Sequence, residues 1–256
     1  MATLEALIFD VDGTLADTER DGHRVAFNRA FADAGLPWDW TVSLYGELLA
    51  VTGGKERITY FVERYQPDLL QRADFTGFVA GLHRAKTVHY TALLSQGGIP
   101  LRPGVARLLR EARTSGVRLA IATTTTPENV TVLLESTLGV EAPSWFEVIG
   151  AGDVVPSKKP APDIYSWVLE RLQLPPQACM ALEDSDNGVA SARQAGLSDI
   201  LVTFNDYTVD QGFDEAPYVI SDLGEPGRSL TCRRSDVPLA DYLTLDHLRA
   251  MHLAVT

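Results

Sequence analysis

Cysteine is nearly absent from this chain of 256 residues, with Cys179 and Cys232 the only two. Two cysteines cannot frame a disulfide scaffold, and their spacing matches no metal site. Apolar residues never run unbroken for the roughly 18 positions that a membrane-spanning helix requires. No basic stretch followed by an apolar one opens the sequence. Positive charge is scarce too: 22 Lys and Arg stand against 34 Asp and Glu, for a net charge of -12. A general nucleic-acid binder carries a basic face, so that class is excluded. An anionic small substrate remains open, because a local basic pocket or a metal ion outweighs a distant acidic surface. No nucleic-acid partner, no membrane and a reducing, cytoplasmic location are the expectations.

What is present begins at the first strand. Leu4-Glu5-Ala6-Leu7-Ile8-Phe9 is short and mostly apolar, and it runs into Asp10-Val11-Asp12-Gly13-Thr14. Asp is disfavoured in strands, and two carboxylates at i and i+2 repel unless something cationic offsets them. A divalent metal is the natural compensation, with one carboxylate left for covalent chemistry; a solvated Asp-Gly turn is the plainer alternative. Three further β-like runs also end in polar residues. Val117–Ala122 stops at Thr123-Thr124, Cys179–Leu182 stops at Glu183-Asp184, and Asp199–Thr203 stops at Phe204-Asn205-Asp206. Helical patterns at 104–115, 127–138, 161–172 and 187–195 separate them, with Gly116 and Gly196 at expected helix ends. The alternation predicts an α/β fold, a Rossmann-like parallel sheet between helical layers. Asp10, Thr123, Glu183 and Asp184 then meet on one sheet edge, where open α/β sheets bind ligands. A further strand is expected at Tyr218–Ile220, inside an otherwise turn-rich stretch at 205–240.

Residues 17–90 break the alternation, with helical patterns at 18–35, 42–50, 57–65 and 77–96. A helical cap domain, 17–90, is expected over the catalytic edge of a core built from 1–16 and 91–256. Within it, Thr52-Gly53-Gly54-Lys55-Glu56-Arg57-Ile58 sets glycines before a helix start carrying two cations. This is either a second anion site or an ordinary helix start with surface charges. Glu19 and His23 share a helix face and either touch a substrate's hydroxyls or form a polar cap surface. His83, Lys86 and Tyr90 read as a solvated helix face. Asp186 and Asn187 read as the cap of the helix that follows. The four tryptophans read as packing residues.

Taken in order, these motifs resemble the haloacid-dehalogenase superfamily of phosphotransferases. Phe9-Asp10-Val11-Asp12-Gly13-Thr14-Leu15 looks like its first motif and Thr123 its second. Lys159, in Ser157-Lys158-Lys159-Pro160-Ala161-Pro162-Asp163, looks like its third, and Leu182-Glu183-Asp184-Ser185 its fourth. The resemblance implies that Asp10 is the nucleophile, forming an aspartyl-phosphate, and that Asp12 is the acid/base. A proton on Asp12 is expected to be favoured by the charges of Asp10, Glu183 and Asp184. Thr123 through its hydroxyl and Thr124 through its backbone N–H would hold the phosphoryl group, and Lys159 would neutralise it. Lys158 is then expected to be a surface residue. Mg²⁺ would lie among Asp10, Asp184 and the Asp12 carbonyl, with Glu183 positioning neighbouring groups or metal-bound water. The Gly54-Lys55-Glu56-Arg57-Ile58 stretch resembles the CbbY-type branch, sugar-phosphate phosphatases associated with the Calvin cycle. That branch implies a bisphosphate, characteristically xylulose 1,5-bisphosphate, hydrolysed to xylulose 5-phosphate to remove an inhibitor of carbon fixation. A mutase similar to β-phosphoglucomutase is the alternative. The chain is expected to act as a monomer.

Overall fold

The computed structural model describes residues 3–255. Its centre is strand β1 (Ala6–Phe9), buried along its whole length. β1 pairs in parallel with β2 (Arg118–Ala122) on one side and β4 (Cys179–Glu183) on the other, so that Ile8 faces both Ala120 and Ala181. Side chains alternate across a strand, and here both faces are apolar. Leu7, Phe9, Leu119 and Ile121 enter one hydrophobic cluster, whereas Ala6, Ile8, Ala120 and Ala122 enter the other. A strand buried on both faces needs this continuous apolar run.

The full sheet has the order β3-β2-β1-β4-β5-β6-β7. β3 (Val148–Gly150), β5 (Ile200–Thr203) and β6 (Tyr218–Ile220) extend the parallel set, and β7 (Cys232–Arg234) closes one edge antiparallel to β6. Strands β3 and β7 and the last helix were not anticipated. Helices α5 (Val105–Thr114), α6 (Pro127–Leu138), α7 (Asp163–Leu172), α8 (Asp186–Gln194) and α9 (Leu245–Val255) cover the two faces.

Between β1 and α5 lie α1 (Arg24–Asp33), α2 (Val42–Leu48), α3 (Gly54–Tyr65) and α4 (Phe75–Ser95). The expected boundary after residue 90 falls inside α4. The helix expected over 18–35 opens as a π-helical turn, Glu19–His23, before α1. Trp38 and Trp40 pack with Phe27, Phe31, Tyr45 and Phe61 in a third hydrophobic cluster that belongs to this helical segment. Both cysteines are free, Cys179 buried and Cys232 exposed. No helix among the described residues is long and apolar enough to cross a membrane.

Arg102, just before α5, clamps three loops. Its guanidinium donates to the Gly13 carbonyl, to Asp17 at 2.9 Å, to the Phe204 carbonyl at 2.7 Å and to the Ser221 carbonyl. The loops after β1, β5 and β6 are thereby fixed to one side chain that is itself buried. Carbonyl groups at strand ends have no ladder partner, and a buried fork of five N–H donors satisfies several at once.

Candidate active site

The strand ends meet as the parallel topology requires. Asp10, directly after β1, accepts a hydrogen bond from Lys159 Nζ at 2.7 Å. The same ammonium donates to Glu183 Oε1 at the end of β4, which also accepts from the Tyr165 hydroxyl on α7. Asp184 follows Glu183, and its Oδ2 accepts from Asn205 at 2.7 Å, from the loop after β5. Gly13 makes this approach possible. Its φ is +87°, which disfavours any other residue, and a Cβ there would lie 2.1 Å from Asp184 Oδ2. On α8, Gly188 does the same for Glu183, because a Cβ would stand 1.8 Å from Oε2. That Oε2 is buried without a hydrogen-bond partner among the described residues.

Electrostatics follow from this crowding. Burial pushes the Asp10 carboxyl up to about 7, with Glu183 and Asp12 adding and Lys159 opposing. Burial, then the charges of Asp10 and Glu183, hold the Asp184 carboxyl well above the usual range. Burial acts downward on Lys159, yet Asp10 and Glu183 outweigh it and keep the ammonium charged. Asp10, Glu183 and Asp184 place one oxygen each within 4.8 Å of one another, a cluster able to hold a metal ion. All-oxygen donors under mutual repulsion fit a hard divalent cation, whose charge would restore the carboxylates to their anionic form. Glu183 Oε1 accepts from Lys159 and Tyr165 and so fixes those two groups, whereas Oε2 has no partner among the described residues.

Asp12 departs from expectation. Burial alone would raise its pKa, but His23, the Thr18 hydroxyl and Lys86 overcome that and hold it well below the carboxylate range. Its Oδ1 accepts from Thr18 and contacts His23 Nε2 at 2.7 Å. The acidic neighbours do not decide its charge, because the groups touching it come from the helical segment. Lys86 Nζ lies 2.6 Å from His23 Nδ1, and Tyr90 stacks on the same imidazole with ring centroids 4.0 Å apart. Lys86 and Tyr90 are therefore not a solvated face: both are buried against His23.

A cavity of about 350 Å³ joins the sheet edge to the cap, lined by Asp10, Asp12, Glu19, Arg57, Thr124 and Lys159 among others. Thr123 is buried beside it, its hydroxyl accepting from the Thr125 amide at 3.3 Å. Arg57 is buried too; it donates to the Tyr45 hydroxyl at 2.8 Å, and that hydroxyl donates onward to Glu19. Gly54 and His83 meet in a narrower space of about 50 Å³, which Lys55 and Lys158 also line. Lys158 is thus no free surface residue, since its ammonium bonds the Gly152 carbonyl and Asp153. The N-cap of α8 is Ser185, whose hydroxyl accepts from the Gly188 amide. Asp186 instead holds the Phe213 amide, and Asn187 reaches Thr52 in the cap. Sequence reasoning missed Thr18, Tyr165, Gly188 and Asn205; only Asn205, at a strand's polar end, carried a visible signal.

This arrangement is that of a haloacid dehalogenase-like hydrolase, and the model of that family matches residues 4–196. The chain belongs to this family. It is 50% identical over 220 residues to protein CbbY of Rhodobacter capsulatus, covering 86% of this chain and 94% of that one. Plasmid-borne CbbY of Cupriavidus necator is 44% identical over 251 residues, 97% of each chain. The crystal structure of a D10N mutant of Rhodobacter sphaeroides CbbY, in complex with xylulose-(1,5)bisphosphate, superposes with a TM-score of 0.78 at 44% identity. The match covers 86% of this chain and 96% of that one. The protein is an enzyme, a phosphatase of the CbbY type.

Proposed function

We propose that the enzyme is a Mg²⁺-dependent sugar-bisphosphate phosphatase that converts xylulose 1,5-bisphosphate to xylulose 5-phosphate and phosphate. The observation that carries this is one cavity with cations at both ends, Lys159 beside Asp10 and Arg57 under the cap. The ligand in the related CbbY structure is of the same kind. Asp10 Oδ attacks phosphorus as the bond from phosphorus to the sugar oxygen breaks, leaving an aspartyl-phosphate. Asp12 gives that oxygen a proton, then takes one from the water that releases phosphate and regenerates Asp10. The anion favoured at Asp12 suits the second half. For the first half Asp12 must first take up a proton, and His23 Nε2 is the ring nitrogen in contact with its Oδ1 at 2.7 Å.

Lys159 neutralises the transferring group while Glu183 and Tyr165 keep the ammonium in place. Thr124, in the cavity wall, and Thr123, buried beside it, would orient the phosphoryl oxygens, and Glu19 and His23 would meet the sugar. Lys55 and Gly54 belong to the far end with Arg57. Asp10, Asp184 and the Asp12 carbonyl would hold Mg²⁺, which when bound offsets phosphate charge. Cytoplasmic metabolite repair, by a monomer, is the corresponding role. Phosphate release with Mg²⁺ across sugar mono- and bisphosphates tests this. Preference for xylulose 1,5-bisphosphate, lost in Asp10→Asn, is expected, and Arg57→Ala should raise KM for the bisphosphate alone. Isomer interconversion without free phosphate would make the enzyme a β-phosphoglucomutase-like mutase instead.

A further inference from the structure

Asp153, in the loop after β3, spends both carboxylate oxygens on lysines from opposite sides of the cleft. Oδ2 accepts from Lys55 Nζ at 2.7 Å, in the first turn of cap helix α3. Oδ1 accepts from Lys158 Nζ at 2.7 Å, in the core segment that carries Lys159. The three residues line the narrow space of about 50 Å³, with Arg57, His83 and Thr124 in its wall. Arg57 and Thr124 also line the larger cavity that contains Asp10, so the two spaces share a wall. One carboxylate thus stands between two ammoniums where the far phosphate of an elongated bisphosphate would meet them. These ion pairs are exchangeable, because the Asp153 side chain is 66% exposed and Lys55 41%, and solvent screens such pairs. A phosphate carries more charge and one more acceptor than the carboxylate it would replace.

We propose that Asp153 is a placeholder for the substrate's second phosphate and a specificity-determining residue of this site. It holds Lys55 and Lys158 in register across the cleft, yields both to the arriving phosphate, and reclaims them afterwards. Reclaiming them loosens the monophosphate product, which still carries that phosphate. The inference rests on the bisphosphate reading above and adds Asp153 and Lys158 to it.

Asp153→Asn preserves shape and removes the competing charge. Calorimetry with xylulose 5-phosphate, on the Asp10→Asn background, is expected to show binding about three- to ten-fold tighter when Asp153→Asn is added, the scale set by two partly exposed ion pairs. In the active enzyme, KM for xylulose 1,5-bisphosphate and the product inhibition constant should fall by similar factors. A carboxylate that merely latched the cap shut would do the opposite, and unchanged or weaker product binding with a raised KM overturns the placeholder role. If Asp10→Asn with Asp153 intact binds neither sugar phosphate, the bisphosphate reading itself fails and takes the placeholder with it.

Discussion

Replacing Gly188 by Ala separates helix propensity from site packing, because the two predict opposite signs. Gly188 lies in α8, where Ala is favoured over Gly by about 1 kcal/mol. By that argument alone Gly188→Ala stabilises. The new methyl, however, would stand 1.8 Å from Glu183 Oε2 and 2.2 Å from its Cδ. Ordinary contact is near 3.5 Å, so the carboxylate must retreat by about 1.5 Å. It has nowhere soft to go: Glu183 is 0% exposed and its Oε1 is bound to Lys159 and Tyr165. A hydrogen bond to a charged group is worth about 1.5–3 kcal/mol. Losing these two outweighs the propensity gain, leaving a net loss of about 2–5 kcal/mol. Lys159 would also shift relative to Asp10, and kcat should drop by about 100-fold or more, the scale seen when a preorganised charge-stabilising donor is lost. Urea unfolding with and without Mg²⁺, together with phosphate release, reads both effects. A Gly188→Ala enzyme as stable as the parent with normal turnover would refute the steric argument.

Two further outcomes follow from the same geometry. Asn205→Ala removes the donor to Asp184 and should weaken Mg²⁺ about tenfold, the usual cost of losing a group that orients a metal ligand. The Mg²⁺ concentration for half-maximal phosphate release measures this, and an unchanged midpoint contradicts it. His83 is pushed down to about 4, by burial first and then by Lys86 and Lys55. The unfolded chain keeps an ordinary histidine near 6.5, so between these values it binds more protons and stability declines as pH falls. His83→Gln should therefore lose about 1 kcal/mol less than the parent between pH 7 and pH 4.5, after allowance for solvent screening. Thermal midpoints at both pH values decide it, and parallel losses would remove His83 from the account.

The buried strands were legible because each is an apolar run that gives way to a cluster of polar residues. β1, β2, β4 and β5 all end this way, and a parallel sheet then forces Asp10, Thr123 and Glu183-Asp184 to one edge. β3 is three residues long and β7 is an exposed edge, so neither leaves a periodicity to read. The charge state of Asp12 was illegible for a different reason. It is set by His23 and Thr18, with Lys86, 63 positions along the chain from its imidazole partner, adding to them. A lysine on a helix looks solvated until the tertiary fold buries it. Gly188 shows the same limit, since only the packed structure tells why a helix there forgoes alanine.

The third hydrophobic cluster, with Trp38 and Trp40 at its heart, lies wholly within the helical segment apart from Tyr207 at its margin. A lid with its own interior supplies part of its own stability, while Ala26, Tyr90 and Leu94 pack it into the cluster of the catalytic sheet. Changes within that interior therefore trade against the lid's own packing, whereas His23 and Lys86 tie the lid to Asp12. Selection can in that way retune which sugar is admitted while the phosphoryl chemistry stays constant, so that one catalytic floor serves many roofs.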